Sequence, residues 1–196
     1  MARSSNSPLL IAIVGVNGAG KSTITARFQQ EIGFPLNYVN ADEIALTLTD
    51  ISDLADRAYT AARKADEQRN IWLEEGQSMA FETVMSHPSK IEFMQRAKDA
   101  GYHVLLIFVG LSNSELSVQR VRERFQAGGH DVPIDKIMAR YDRVMALLPK
   151  AIKVADRALI FDNSNEDREA ELVLSFENSR VGYKSIYLPE WLNYLL

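Results

Sequence analysis

Two repeats alternate along this chain. Short apolar runs at residues 11–14, 36–39, 78–81, 102–109 and 157–161 read as strands; between them apolar residues recur every third or fourth position, the period of helices with one buried face. The run at 11–14, Ile-Ala-Ile-Val, is largely β-branched and ends at glycine, as a buried parallel strand does. The run at 102–109 is too apolar for an edge and predicts a central strand. Ile24, Phe28 and Ile32 predict a helix from Lys21 to about Glu31, broken by Gly33 and Pro35. Leu54, Ala58, Ala61, Ala65 and Trp72 predict a long helix with Ser52 as its N-cap; Ile91, Phe93, Met94 and Ala97 predict another, stopped by Gly101. Leu116, Val121 and Phe125 mark a helix capped by Ser112 or Ser114, and helical spacing resumes over 134–154. Residues 172–176 read as an edge strand and 189–196 as a short closing helix. Alternating strands and helices predict an α/β fold on a mostly parallel sheet of five to six strands.

The first strand runs directly into Gly15-Val16-Asn17-Gly18-Ala19-Gly20-Lys21-Ser22, which fits the phosphate-loop pattern G-x-x-x-x-G-K-[ST] at every fixed position. Glycines without Cβ let the backbone curl and turn its N–H groups onto a phosphate. Lys21 brings positive charge to the outer phosphates, the Ser22 hydroxyl is placed for Mg²⁺, and the following helix points its positive end at the same anion. Gly15, Asn17, Gly18, Ala19, Gly20, Lys21, Ser22 and Thr23 are therefore the candidate nucleotide-binding residues. A glycine-rich turn with a chance lysine would leave these glycines without a purpose.

Other polar residues fall where strands end, the rim on which open α/β sheets bind ligands. Asp42 follows the second strand, where it can accept a hydroxyl proton or cap a helix. Glu82 and Thr83 follow the third strand as candidates for holding a hydroxylated acceptor, with a structural carboxylate as the alternative for Glu82. Asp162, Asn163 and Ser164 follow the fifth strand in a loop placed to touch a nucleobase, though it carries no base-reading motif. The strand ending at Val109 has no terminal aspartate, so no ordinary second magnesium-site carboxylate is evident. Arg120, Arg122 and Arg124, then Arg140, Arg143 and Lys150, lie on two helices joined by Gly128-Gly129-His130-Asp131-Val132-Pro133. That is the form of a mobile lid whose arginines neutralise a phosphoryl group in transfer, the alternative being a basic helical hairpin that only solvates the protein.

Composition narrows the field. The chain of 196 residues, 46% hydrophobic and 24% charged, has the makings of one soluble domain over 1–196, with a polar, flexible 1–8 and a lid over about 112–150. A net charge of −4 argues against bulk nucleic-acid binding. Without cysteine there is no disulfide and no thiol chemistry, which suits a reducing cytosol. Neither a signal peptide nor a membrane span is evident, and the expected location is cytoplasmic.

The phosphate loop, Asn40-Ala41-Asp42, Phe81-Glu82-Thr83, the arginines from Arg120 to Arg124, Gly128-Gly129-His130-Asp131-Val132-Pro133 and Arg140-Tyr141 together resemble the zeta-toxin-like P-loop kinases, more narrowly their small stand-alone branch. The likeness covers about residues 9–163. It implies a three-layer P-loop NTPase/kinase fold and transfer of the γ-phosphoryl group of ATP (or GTP), with Mg²⁺, to a small hydroxylated acceptor. In the best-known members the acceptor is UDP-N-acetylglucosamine. By the same resemblance Lys21 binds the β- and γ-phosphates, Ser22 the metal, and Asp42 acts as catalytic carboxylate. Glu82 and Thr83 line the acceptor site, and Arg120, Arg124 and Arg140 are the candidate transition-state arginines. A small antitoxin blocking the nucleotide site is a partner the resemblance admits. The long alanine-rich helix and compact C-terminus depart from the larger toxins, whose extra segments help form the sugar-nucleotide pocket. Rival readings are a nucleotide-dependent switch that phosphorylates nothing and a nucleic-acid end kinase, which would need stacking aromatics in a basic channel.

Overall fold

The computed structural model describes residues 7–31, 33–128 and 132–196. Ile32, residues 1–6 of the expected flexible start, and the hinge residues Gly129, His130 and Asp131 lie outside them.

The chain forms β1 (Leu9–Gly15), α1 (Lys21–Phe28), β2 (Asn37–Asn40), α2 (Ala41–Thr47), α3 (Leu54–Glu74), β3 (Met79–Thr83), α4 (Ser89–Asp99) and β4 (His103–Gly110). It continues with α5 (Ser114–Gln126), α6 (Ile134–Val154), β5 (Arg157–Asp162), β6 (Glu171–Glu177), β7 (Arg180–Lys184) and a 3₁₀ turn, Glu190–Leu195. Side-chain oxygens start three of these helices. Asn40 Oδ1 accepts from Asp42 N to open α2, Asp53 Oδ1 accepts from Ala55 N and Asp56 N to open α3, and Asn113 Oδ1 accepts from Leu116 N to open α5. The caps are thus Asp53 and Asn113, each beside the serines expected from sequence.

All strands join one sheet in the order β2-β3-β1-β4-β5-β6-β7. Pairing is parallel from β2 through β5; β6 and β7 add antiparallel. The expected count of five to six strands becomes seven, because 172–176 lies inside the sheet and β7 forms the edge. Every residue of β7 is exposed, so it carries no burial alternation to announce it. The connection leaving β1 goes to one edge of the sheet, while those leaving β3 and β4 go the other way. The order reverses at β1, and the carboxyl end of β1 is where an open α/β sheet opens a ligand crevice.

The core is almost wholly aliphatic and aromatic. Leu10, Ala12, Ile13 and Val14 of β1 are fully buried between β3 and β4, themselves buried on both faces. Period-two alternation sends neighbours to opposite faces. Phe81 turns to one side, edge-on to Phe93 of α4 at 5.7 Å and under the Arg69 guanidinium of α3 at 4.7 Å. Glu82 turns to the other, towards α1. Helices therefore cover both faces, which makes the three layers. No helix among the described residues is long and apolar enough to cross a membrane.

Candidate active site

The phosphate loop spans the turn from β1 to α1. Gly20 sits at φ 81° as the N-cap of α1, left-handed backbone that other residues enter only with strain, and a Cβ there would lie 2.6 Å from Asn163 Nδ2. The backbone at the mouth of α1 is thus packed closely against Asn163. Lys21 donates to Val16 O at 3.1 Å, folding its ammonium over the loop. Asn17 Oδ1 is buried without a donor among the described residues, so the loop does not satisfy its own polar atoms.

Lys21 is the electrostatic centre of the site. Burial lowers its pKa below the ordinary lysine value, Glu82 and Asp42 pull it up, and Arg124 and Arg140 push it down. Side chains from β3, α2, α5 and α6 therefore act on one ammonium. Of the sequence-derived candidates, Asp42, Glu82, Arg124 and Arg140 converge with Lys21. Arg120 packs against the phosphate loop, its Cβ where a side chain on Gly18 would go, and its Nε lies 3.8 Å from Glu166 Oε1.

The Glu82 carboxylate, expected at the acceptor or as a structural group, turns to the phosphate-loop side, where it accepts from Ser22 Oγ at 2.9 Å, from Thr25 Oγ1 at 2.7 Å and from Tyr38 OH at 3.3 Å. Tyr38 is correspondingly raised, first by burial and then by Glu82 and Glu43. The end of β4 carries no aspartate, whereas β3, the other neighbour of β1, carries the Glu82 carboxylate near its end. Ser22 and Glu82 offer oxygen ligands and one negative charge. That set fits Mg²⁺, which takes one or two protein oxygens and keeps the rest for phosphate and water. Among the described residues no cluster of three acidic or histidine side chains forms a self-sufficient metal cage.

Thr83, on the face opposite Glu82, accepts from Met85 N at 3.4 Å and supports the bend where Met85 takes φ 55°. Asp42 is exposed, and the two sequence readings of it separate: Asn40 makes the cap, so the Asp42 carboxylate is not used for it.

Three residues that hold the loop were not singled out for that work by sequence. Ser117 Oγ of α5 donates to Asn17 O, so the start of α5 is tied to the phosphate loop. Asn163 donates from Nδ2 to Ala19 O at 2.9 Å and from its backbone to Gly110 O at 3.0 Å. Thr25 completes the set through Glu82. Ser117 and Asn163 grip backbone carbonyls distant in sequence, for which residue spacing carries no signal. Beyond Asn163, a cavity of about 610 Å³ opens beside Gly20, Thr23, Arg27, Gln30 and Arg168.

Comparison with known proteins identifies the family and the fold. Residues 1–171 match the family model described as zeta toxin. An uncharacterized protein of Haemophilus influenzae is 30% identical over 128 residues, 65% of this chain and 88% of that one. Among solved structures, a chain of the AvrRxo1-ORF1:-ORF2 complex with ATP superposes with a TM-score of 0.70 at 20% identity. The match covers 91% of this chain but only 61% of that one. A chain from the PezAT chromosomal toxin-antitoxin system of Streptococcus pneumoniae gives a TM-score of 0.59 at 19% identity, covering 86% of this chain and 74% of its own.

Proposed function

The chain belongs to the zeta-toxin family of P-loop kinases, and from that premise we propose that it is a Mg²⁺-dependent phosphotransferase moving the γ-phosphoryl group of ATP (or GTP) to a hydroxyl of a small acceptor. The observation that carries the reading is the phosphate loop with Lys21 folded over it and Ser22 bonded at 2.9 Å to Glu82, where Asp42, Arg124 and Arg140 also bear on Lys21. A nucleotide switch needs the lysine and an acid on the metal side; a second carboxylate and two arginines at the same place suit transfer to an alcohol.

In this reading the loop amides and Lys21 hold the triphosphate, and its base enters the cavity beside Asn163 and Arg168. Ser22 and Glu82 are the residues that would hold Mg²⁺, which would supply positive charge to the triphosphate. Asp42 takes the proton of the acceptor hydroxyl as its oxygen attacks phosphorus in line and the bond to the bridging oxygen of ADP breaks. Arg124 and Arg140 neutralise the equatorial oxygens and leave little room for water to compete as acceptor. Arg120 anchors the lid. The whole chain, 1–196, works as one kinase domain.

Family membership supports UDP-N-acetylglucosamine as the first acceptor to try, and it supports a small antitoxin as partner. The test is transfer of radiolabelled γ-phosphoryl from ATP to a panel of UDP-sugars, nucleosides and RNA 5′ ends, in unaltered chain and Asp42→Asn. A labelled acceptor that disappears with Asp42→Asn supports the reading. Slow hydrolysis that no acceptor accelerates returns the choice to a nucleotide switch, and labelled RNA ends favour the end kinase.

A further inference from the structure

The segment after residue 171 lies outside the family match, yet it returns to the nucleotide side of the site. After β7 the chain turns back over the carboxyl ends of β4 and β5, and Leu192 is completely buried there. The indole of Trp191 rests on Gly110: a Cβ at that position would stand 2.2 Å from Cη2 of the ring, so only glycine allows the approach. The ring also lies beside Phe108, tilted at 46° with centroids 6.2 Å apart. The indole N–H donates to Asp162 Oδ1 at 3.1 Å, and Ser164 Oγ donates to the same oxygen. Between Asp162 and Ser164 stands Asn163, whose backbone donates to Gly110 O and whose amide donates to Ala19 O of the phosphate loop.

Trp191 thus touches both supports of the Asn163 clamp, the carbonyl-bearing Gly110 and the carboxylate before it. We infer that Trp191 is a positioning residue for the nucleotide: through Asp162 and Gly110 it fixes the loop that carries Asn163, and with it the shape of the phosphate loop. This rests on the kinase reading and adds to it a contribution from a segment that the family model does not reach.

The decisive measurement is ATP affinity in four chains: unaltered, Trp191→Phe, Asn163→Ala and the double variant. Trp191→Phe keeps a ring on Gly110 but removes the indole N–H. A loss of about tenfold in ATP affinity is expected from one missing hydrogen bond to a charged group, with kcat at saturating ATP retained. The penalties of Trp191→Phe and Asn163→Ala should not add, since both act through one clamp. If Trp191→Phe does not fold, Asp162→Ala and Asp162→Asn read the same link: alanine weakens ATP binding, while asparagine, which keeps an accepting oxygen, restores it. In a Trp72→Phe background, where Trp191 is the sole tryptophan of the two in the chain, ATP should shift its emission. Equal ATP affinity in unaltered and Trp191→Phe chains, or additive penalties, overturns the inference and leaves the kinase reading intact. No ATP binding by the unaltered chain overturns both.

Discussion

Ser22 Oγ and Glu82 Oε1 lie 2.9 Å apart, joining the last residue of the phosphate-loop motif to the strand beside it. One carboxylate also receives Thr25 at 2.7 Å and Tyr38 at 3.3 Å, so its orientation is fixed before any ligand enters. Replacing Glu82 by glutamine keeps an oxygen for these hydroxyls and removes the charge. Apparent Mg²⁺ affinity, read by titrating activity against metal, should fall about 10- to 100-fold, as losses around a metal site usually do. Nucleotide binding without metal should be little changed. Glu82→Ala is expected to be worse in a different way, because it strands the buried Thr25 hydroxyl at a cost of about 1–3 kcal/mol and lowers Tm.

Lys21 carries a stability cost with a defined pH dependence. Burial, the largest influence, lowers its folded pKa below the unfolded value of 10.5 despite Glu82 and Asp42. A lysine of that kind destabilises the fold fully at pH below the folded pKa, and the cost fades as pH rises from there to 10.5. Lys21→Met should therefore raise Tm of the ligand-free protein at neutral pH, the gain shrinking as the buffer approaches the unfolded pKa. The same variant should lose nucleotide affinity. Thermal melts from pH 7 to 10 check the sign, and a gain that grew with pH would refute it.

The three candidate arginines should part company on substitution. Arg124 and Arg140 act on Lys21, and Arg124→Ala or Arg140→Ala should lower kcat about 10³-fold or more with ATP binding largely kept, the scale set by arginines that stabilise phosphoryl transfer. Arg120→Ala loses an ion pair of 3.8 Å to the half-exposed Glu166 and the packing of its stem over Gly18. About 1 kcal/mol is a reasonable toll for such a change, or 2–4 °C in Tm for a domain of this size, with kcat much less affected. Steady-state kinetics and melting curves on the three variants separate the roles.

What could be read from the chain beforehand divides along a physical line. Local rules sufficed where geometry is local: the phosphate loop lies between β1 and α1 as its pattern demands, and the apolar spacing over 134–154 returned the bounds of α6, Ile134–Val154. The two-residue period of β3 already required Phe81 and Glu82 to face opposite ways. Which helix covers which face is a tertiary fact, so the pairing of Glu82 with Ser22 is visible only in the fold. Ser117 and Asn163 reach main-chain oxygens of Asn17 and Ala19 across about half the chain or more, and no spacing rule connects them. The strand β7 was missed because all five of its residues are exposed, leaving period-two burial nothing to show.

Asp42 offers the cleanest separation of chemistry from folding. Its backbone N–H is held by Asn40 Oδ1 at 2.9 Å, and that bond, made by the main chain, survives any change of the Asp42 side chain. Asp42→Asn should therefore melt with the unaltered chain and bind ATP as well, yet transfer phosphoryl about 10²- to 10⁴-fold more slowly, the range over which a positioned general base contributes. Asn40→Ala is the complementary variant: it leaves the carboxylate in place but removes the cap, at a cost near 1 kcal/mol. Its defect should appear first in Tm and only secondarily in rate, through a carboxylate less well aimed. Melting curves, ATP titrations and single-turnover transfer on the pair distinguish the two outcomes, and Asp42→Asn turning over at the unaltered rate would remove Asp42 from the chemistry.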